Sequence, residues 1–414
     1  MTLEISQIKI KDLQFGERTS LSGRTLLLDP RELAAFIMDR DERIQDLAVH
    51  PARPGEPVRL ICVKDVIEPR CKTAGGKTGE GKSLVLKNMA VVTCGRIIGF
   101  QEGIIDMSGP GAAFSPFSRT LNVVLEISVK EGISRHEHEE VIRTAGCEAA
   151  GWLAEKAAGA EPDRVEAIDQ PRPDPAGRDL PKIAYVYLLL SQGLLHDTYV
   201  LGRQAGEGLP RELPLPVLMD GAIVSGNCVS ACDKNTTWHH QNNPVLRQLY
   251  RAHNKGLNFA GTVLSNIPTR LAGKRESAGQ AVELVKHLRP RGVIISKEGF
   301  GNPDADLMML IHKLESSGIR TVAITDEFAG PNGASQSLAD TTPEADAIIS
   351  TGNANQLTEL PPMSTTIGPI EDITSLTGAY PQSLRADGSL EIEIQGIIGA
   401  TNEMGTNHLS CKEV

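Results

Sequence analysis

Short apolar runs dominate the first part of the chain. The stretches "LEISQIKIKDLQF", "EPVRLICV", "LVLKNMAVVTCGRIIGF" and "LNVVLEISV" show alternating or unbroken apolar positions, punctuated by Gly and Pro. That pattern predicts strands. A helix is predicted over "ISRHEHEEVIRTAGCEAAGWLAEKAAG", where Ser134 stands as N-cap and Glu137 completes a capping box. Residues 169–181, "DQPRPDPAGRDLP", hold four prolines in thirteen positions, which marks a linker or surface crossing. From 182 the pattern changes. "KIAYVYLLL", "VLMDGAIV", "NFAGTVLS", "GVIISK", "IRTVAIT" and "ADAIIS" read as buried strands, with helical patterns over 244–254, 274–288 and 303–317. Asn243-Pro244 and Asn302-Pro303 each offer Asn as N-cap and Pro at the first helical position.

The expected fold class is therefore α/β. A strand-rich α+β domain (1–168) is followed by the 169–181 linker and by a C-terminal domain (182–414) with a mainly parallel sheet flanked by helices. In such sheets ligands bind outside the carboxyl ends of the strands. The segments leaving those ends carry Asn227, Cys228, Asn266, Glu298, Asp326, Glu327 and Asn353, which are expected to converge on one crevice.

Composition narrows the function. A chain of 414 residues suits two or three domains. Its net charge of −10 argues against nucleic acid. The longest apolar run, "AYVYLLL", is far short of a membrane span, and "MTLEISQIKIKDLQF" lacks the features of a signal peptide. Seven cysteines without regular spacing suit free thiols in a reducing, cytoplasmic setting.

Four features invite chemistry. "GKTGEGKS" at 76–83 fits a phosphate-cradling loop, but a poor strand precedes it and a strand-like stretch follows, so a basic loop is the expectation. "HEHEE" at 136–140 looks ready for metal, yet His136 and His138 do not share a helix face; a solvated helix end is expected. Cys228, Cys232, His239 and His240 have zinc-ligand types, but adjacent histidines are not the usual spaced pair. As a redox pair, Cys228 and Cys232 lack the Cys-x-x-Cys spacing. The fourth is the Asn227-Cys228 peptide bond. A cysteine Sγ held against its own preceding carbonyl can attack the Asn227 carbon and exchange amide for thioester. Loss of the Cys228 Cα proton then eliminates the thioacid, and the dehydroalanine left behind hydrolyses to a ketone. A small cysteine buried at a strand end is the plainer reading of the same residues.

A wider set of motifs bears on the choice. "VKDVIEPR", "FQEGIIDMSGPGA", "HEHEE", "QGLLHDTYV", "MDGAIVSGNCVSACDKNTT", "HHQNNPV", "KEGFGNPDAD", "TDEFAGPNGASQSLAD" and "GATNE" occur in this order. Together they resemble the alpha/beta proprotein of component B of glycine/sarcosine/betaine reductase, with the D-proline reductase proprotein as a more distant relative. The 72–83 and 156–181 stretches carry none of these motifs. The resemblance implies a cut between Asn227 and Cys228, giving chains 1–227 and 228–414, with Cys228 becoming a pyruvoyl cofactor. It implies that this carbonyl holds a small amine substrate as a Schiff base during reductive deamination to acetyl phosphate and amine. The implied partners are a selenocysteine-containing subunit of component B, selenoprotein component A and an acetyl-phosphate-forming component C, in a hetero-oligomer. No selenocysteine occurs in this chain, so the selenol must come from those partners.

The expected catalytic residues are Cys228 and Asn227, with no metal. Glu298, Asp326 and Glu327 are the expected substrate-binding groups, and His239 and His240 the candidate bases for elimination. The rival expectations are an uncleaved interaction subunit of such a complex and a D-proline-reductase-like pyruvoyl protein.

Overall fold

The computed structural model describes residues 2–98, 102–172, 174, 179–191, 198–226 and 235–405. The strand-rich N-terminal part contains β1 (Thr2–Lys9), β2 (Ile44–Ala52), β3 (Val58–Ile67), β4 (Arg70–Ala74), β5 (Gly81–Lys87), β6 (Met89–Cys94), β7 (Gly103–Asp106), β8 (Leu121–Val129), helix α1 (Arg135–Glu155) and β9 (Arg164–Asp169). Both faces of β1 are buried in part: Leu3 and Ile5 enter one core and Ile8, on the opposite face, another, while Thr2 and Lys9 at the ends are exposed. One sheet has the order β9-β1-β5-β4 and a second runs β7-β3-β6-β8-β2. α1 packs on β4 and β6. It begins with the expected capping box, in which Ser134 accepts from Glu137 N and Glu137 accepts from Ser134 N.

The later part contains β10 (Lys182–Leu190), β11 (Arg211–Leu213), β12 (Ile223–Ser225), α2 (Thr237–Gln241), α3 (Pro244–Ala252), β13 (Asn258–Ile267), α4 (Leu271–Leu288), β14 (Gly292–Lys297), α5 (Asn302–Glu315), β15 (Arg320–Glu327) and β16 (Ile348–Asn353). Its sheet has the order β11-β13-β10-β14-β15-β16, parallel throughout except at the β11 edge. The α/β class holds, with a mainly parallel sheet as its frame. From β10 the chain reaches β13 on one side, then crosses by α4 to β14 on the other. The topological switch point is therefore at β10, and the crevice beside it lies between the carboxyl ends of β10, β13 and β14.

Three local expectations are refined. The stretch "VLMDGAIV", expected as one buried strand, divides into a short helix, Leu215–Met219, and the start of β12, because Asp220 and Gly221 break it. Asn243 caps α3, its side chain accepting from Leu246 N at 3.1 Å. At α5 the cap is Gly301, whose φ of +78° starts the turn, and Asn302 is already helical with no capping bond. The "GKTGEGKS" stretch is the turn and second strand of the β4–β5 hairpin, so no helix N-terminus stands behind it.

The sheets share cores. Leu3, Ile5, Val85 and Ile168 pack with Tyr185, Tyr187 and Leu264. Ile61 and Ile104 pack with Leu390, Ile392 and Ile397. The short strand Thr365–Ile367 pairs with β3, although some 300 residues separate them. Among the described residues no helix is long and apolar enough to cross a membrane.

Candidate functional site

Asn227, Cys228 and Cys232 lie outside the described residues. The described chain stops at Gly226, directly after β12, and resumes at Asn235, directly before α2. What surrounds those two ends is built from the switch point.

Tyr185 and Tyr187 lie on the same face of β10, and both rings are buried and stacked. A buried phenol needs a partner for its hydroxyl. Tyr185 finds Ser296 on β14 at 2.5 Å and Asn243 at 3.2 Å. The Tyr187 oxygen accepts from Asn235 Nδ2 at 2.9 Å and lies 2.9 Å from His240 Nδ1. With Asn235 donating to the phenol oxygen, the phenol hydrogen is directed to His240 Nδ1. The imidazole proton then sits on Nε2, which faces Glu298 Oε1 at 3.4 Å. Glu298 Oε2 accepts from Leu190 N at 2.7 Å and from Thr198 Oγ1 at 3.2 Å. Asn402 donates to Asn235 Oδ1. The result is a buried relay running Asn402, Asn235, Tyr187, His240, Glu298 across the end of the sheet.

Beside the relay sits Lys297, the last residue of β14, with no exposed surface. Its Nζ is 3.0 Å from Asp304 Oδ1 and 3.9 Å from Asp326 Oδ1, and it donates to the Gly299 carbonyl. Burial alone would push this ammonium down; Asp326, Asp304 and Glu403 outweigh it and hold its pKa above the usual lysine value. Four buried carboxyl groups (Glu298, Asp304, Asp326 and Glu403) thus share one lysine and one histidine. The cluster holds more carboxyl groups than cationic side chains, an arrangement that favours a cationic guest.

The expected site residues therefore divide. Glu298 and Asp326 belong to the cluster. Glu327, the next residue on β15, does not; its carboxylate accepts from Ser337 Oγ at 2.8 Å and from Ser350 Oγ. Successive side chains on a strand point to opposite faces, so Asp326 and Glu327 cannot both face Lys297. Asn266 accepts from Ser277 Oγ at 2.6 Å, and Asn353 binds the Ala329 and Gly330 backbone. Both serve their own loops rather than a common crevice.

His240 is in the relay. His239 is turned elsewhere: its Nδ1 accepts from Thr236 N at 3.1 Å, so Nε2 carries the proton. Burial pushes its pKa down to about 3. Its ring lies among Phe117 and Trp238, and Gly399 approaches so closely that a Cβ there would stand 3.3 Å from His239 Cε1. A neutral ring protonated at Nε2 and bonded at Nδ1 is a donor, not a ready base.

The "HEHEE" stretch is less solvated than expected. Glu139 is buried, binding Arg143 at 2.9 Å and the Tyr199 hydroxyl at 3.1 Å. Among the described residues no group of three or more His, Cys, Asp or Glu is arranged to hold a metal. Burial raises the thiols of Cys62, Cys71, Cys94 and Cys147, to about 12, 11 and 12 for Cys62, Cys71 and Cys147. None of these four is poised as a thiolate nucleophile at neutral pH.

Lys297, Asp304, Tyr187, Asn235 and Glu403 were not singled out from sequence. Lys297 sits one residue before Glu298 at the same strand end, so the strand-end rule reached its neighbour and stopped. Tyr187 was hidden inside an apolar run, although a tyrosine in a buried strand already signals a polar partner.

Comparison with known proteins agrees in length and order. A sequence profile of glycine/sarcosine/betaine reductase component B subunits matches residues 1–412. In Peptoclostridium acidaminophilum, the glycine reductase complex component B subunits alpha and beta are 47% identical to this chain, the sarcosine reductase complex component B subunit alpha 44% and the betaine reductase complex component B subunit alpha 32%; each alignment covers 100% of both chains. No solved structure matches the chain. The chain belongs to the family of glycine/sarcosine/betaine reductase component B subunits.

Proposed function

We propose that this protein is the carbonyl-bearing part of an amino-acid reductase component B, maturing by scission between Asn227 and Cys228. In this reading Cys228 is the precursor of a pyruvoyl group, and Asn227 supplies the carbonyl that its thiol attacks. The observation that carries the reading is the acid-rich buried cluster at the switch point. It reaches Asn235, the first described residue after the segment holding Asn227 and Cys228.

The pyruvoyl ketone would condense with the substrate amine and make its nitrogen a better leaving group. The chain's own groups then have defined tasks. Glu298 and Asp326 take up the positive charge of the amine, helped by Asp304 and Glu403. Lys297 balances the charge of Asp304 and Asp326. His240 moves a proton at Nε2, held in that tautomer by the Tyr187 hydroxyl. Identity is higher to the glycine and sarcosine relatives, at 47% and 44%, than to the betaine relative at 32%. This favours a primary or secondary amine as substrate, because a quaternary nitrogen cannot condense with a ketone. Reductive C–N cleavage to acetyl phosphate and amine then requires partners: a selenocysteine-containing subunit of component B, selenoprotein component A and an acetyl-phosphate-forming component C. The cytoplasm is the setting for such chemistry.

The test is direct. Purified protein on a denaturing gel gives two bands, the smaller with no free amine for Edman sequencing. Borohydride with labelled glycine fixes label to that band. A single uncut band with an intact Cys228 thiol discards this reading and leaves an uncleaved interaction subunit.

A further inference from the structure

A cavity of about 270 Å³ lies under the β4–β5 hairpin. Arg70 and Lys72 of β4, Thr78 of the turn, Ser83 of β5, Asp220 before β12 and Gln241 of α2 are among the residues that line it. Its size falls below the ~300–1,000 Å³ of drug-sized sites, which suits a ligand of a few heavy atoms. The "GKTGEGKS" stretch therefore roofs a pocket, although not as a helix-backed phosphate loop.

The wall carries two cations, Arg70 and Lys72, and two carboxylates, Glu68 and Asp220, with Lys87 and Arg247 behind it. Asp220 is spoken for: it meets Lys72 Nζ at 2.5 Å, Ser83 Oγ at 2.6 Å and Gly79 N at 2.7 Å. Glu68, by contrast, is one carboxylate among several cations. Arg70 Nη2 is 2.8 Å from it and Lys87 Nζ 2.6 Å, and Arg247 adds its charge nearby. Burial lowers the Lys87 and Arg247 pKa values; Glu68 opposes both shifts, and Glu166 that of Arg247, while Arg70 adds to both. An anion would relieve the excess of cations around Glu68.

Donors stand ready for it. Arg70 gives Nη1 to the Met219 carbonyl at 3.1 Å, but its Nε–H is buried and has no acceptor. Gln241 receives Glu68 N on Oε1 at 2.9 Å, which leaves its amide N–H groups for a ligand. Gly221 makes room for Arg70: at its φ of +90° a Cβ would lie 3.3 Å from Arg70 Cδ. A planar guanidinium edge beside an amide donor matches a carboxylate. A phosphate dianion would meet Glu68 and Asp220 without a ring of backbone N–H groups to hold it.

We propose that this cavity binds a small carboxylate, with Arg70 as its anchor, and that the carboxylate is that of the amino-acid substrate. The identity of the ligand rests on the reductase reading above; the existence of the site does not. The pocket is lined by Val224 and Thr237, and Thr237 Oγ1 accepts from Ser225 N at 2.9 Å. It thus adjoins the elements on both sides of the proposed scission segment.

Saturation-transfer NMR on the full chain tests this, with acetate, methylammonium and inorganic phosphate as probes. Acetate should bind, and glycine should displace it. Arg70→Met and the cavity-filling Thr78→Trp should each weaken acetate by about ten-fold or more. Acetate should bind Cys228→Ala protein equally, since that chain forms no carbonyl, so failure of the scission chemistry and failure of the pocket are read separately. Methylammonium binding as well as acetate, phosphate displacing it, or both variants binding like the parent overturns the site. Acetate bound but not displaced by glycine overturns the substrate assignment.

Discussion

Glu298 is the residue on which the relay turns. One of its oxygens satisfies Leu190 N and the other faces the protonated nitrogen of His240. In Glu298→Gln an amide N–H would oppose His240 Nε2–H, two donors face to face, and the ring would have to surrender its bond to Tyr187. We expect this variant to lose about 1–3 kcal/mol of stability and most turnover in the complete reductase. Glu327→Gln, whose side chain still meets Ser337 and Ser350, should stay within about 0.5 kcal/mol of the parent and keep its turnover. Thermal melts and assays on the two variants check the contrast; equal damage would remove the distinction between the two faces of β15. His239 gives a pH signature. Its folded pKa of about 3 lies below the ordinary value of 6.5, so the unfolded chain binds the extra proton between those values. Stability is full above about pH 6.5 and falls as pH drops through that window, by about 2 kcal/mol at pH 5 from this group. A His239→Gln variant should show a flatter profile of unfolding free energy between pH 7 and 5.

At the scale of elements, one side chain ties the turn of the β4–β5 hairpin to the later part of the chain. Asp220 receives Lys72, Ser83 and the Gly79 amide. Asp220→Ala would leave a partly buried ammonium and two donors without an acceptor, at a cost of about 2–4 kcal/mol by urea unfolding. A loss below about 0.5 kcal/mol, the range of ordinary surface changes, would mean that the hairpin is anchored elsewhere. The helices show which elements were legible. Ser134 and Asn243 cap where their side-chain chemistry says they should, because a cap is a local hydrogen bond. Asn302 does not, because the positive φ of Gly301 begins the turn one residue earlier. The "GKTGEGKS" stretch, expected as a basic loop, is the turn and the start of the second strand of a hairpin; it fails as a phosphate loop because strand, not helix, follows it.

The whole molecule constrains what scission can do. β10 lies in the proposed first product, 1–227, yet it is hydrogen-bonded between β13 and β14 of the second. Across the same divide Thr237 binds Asp65, Gln241 binds Glu68 and Lys87 binds Asn242. The short strand Thr365–Ile367 completes the sheet of β3. The two products are therefore expected to co-elute on size exclusion, in high salt as well as low, and to separate only in denaturant. Elution as two independent species under native conditions would contradict this interleaving.

The sequence by itself determined the α/β class, most of the strands and helices, the Ser134 and Asn243 caps and the family, because each rests on periodicity, local hydrogen bonding or ordered motifs along the chain. It also brought forward Glu298 and Asp326, since strand ends are visible in one dimension. Only the tertiary structure decided that Asp326 faces Lys297 while Glu327 faces away, that Tyr187 and Asn235 hold His240 toward Glu298, and that Arg70 and Gln241 share a pocket. Those pairings join residues far apart in the chain, and they depend on which strands become neighbours and on which face each side chain takes.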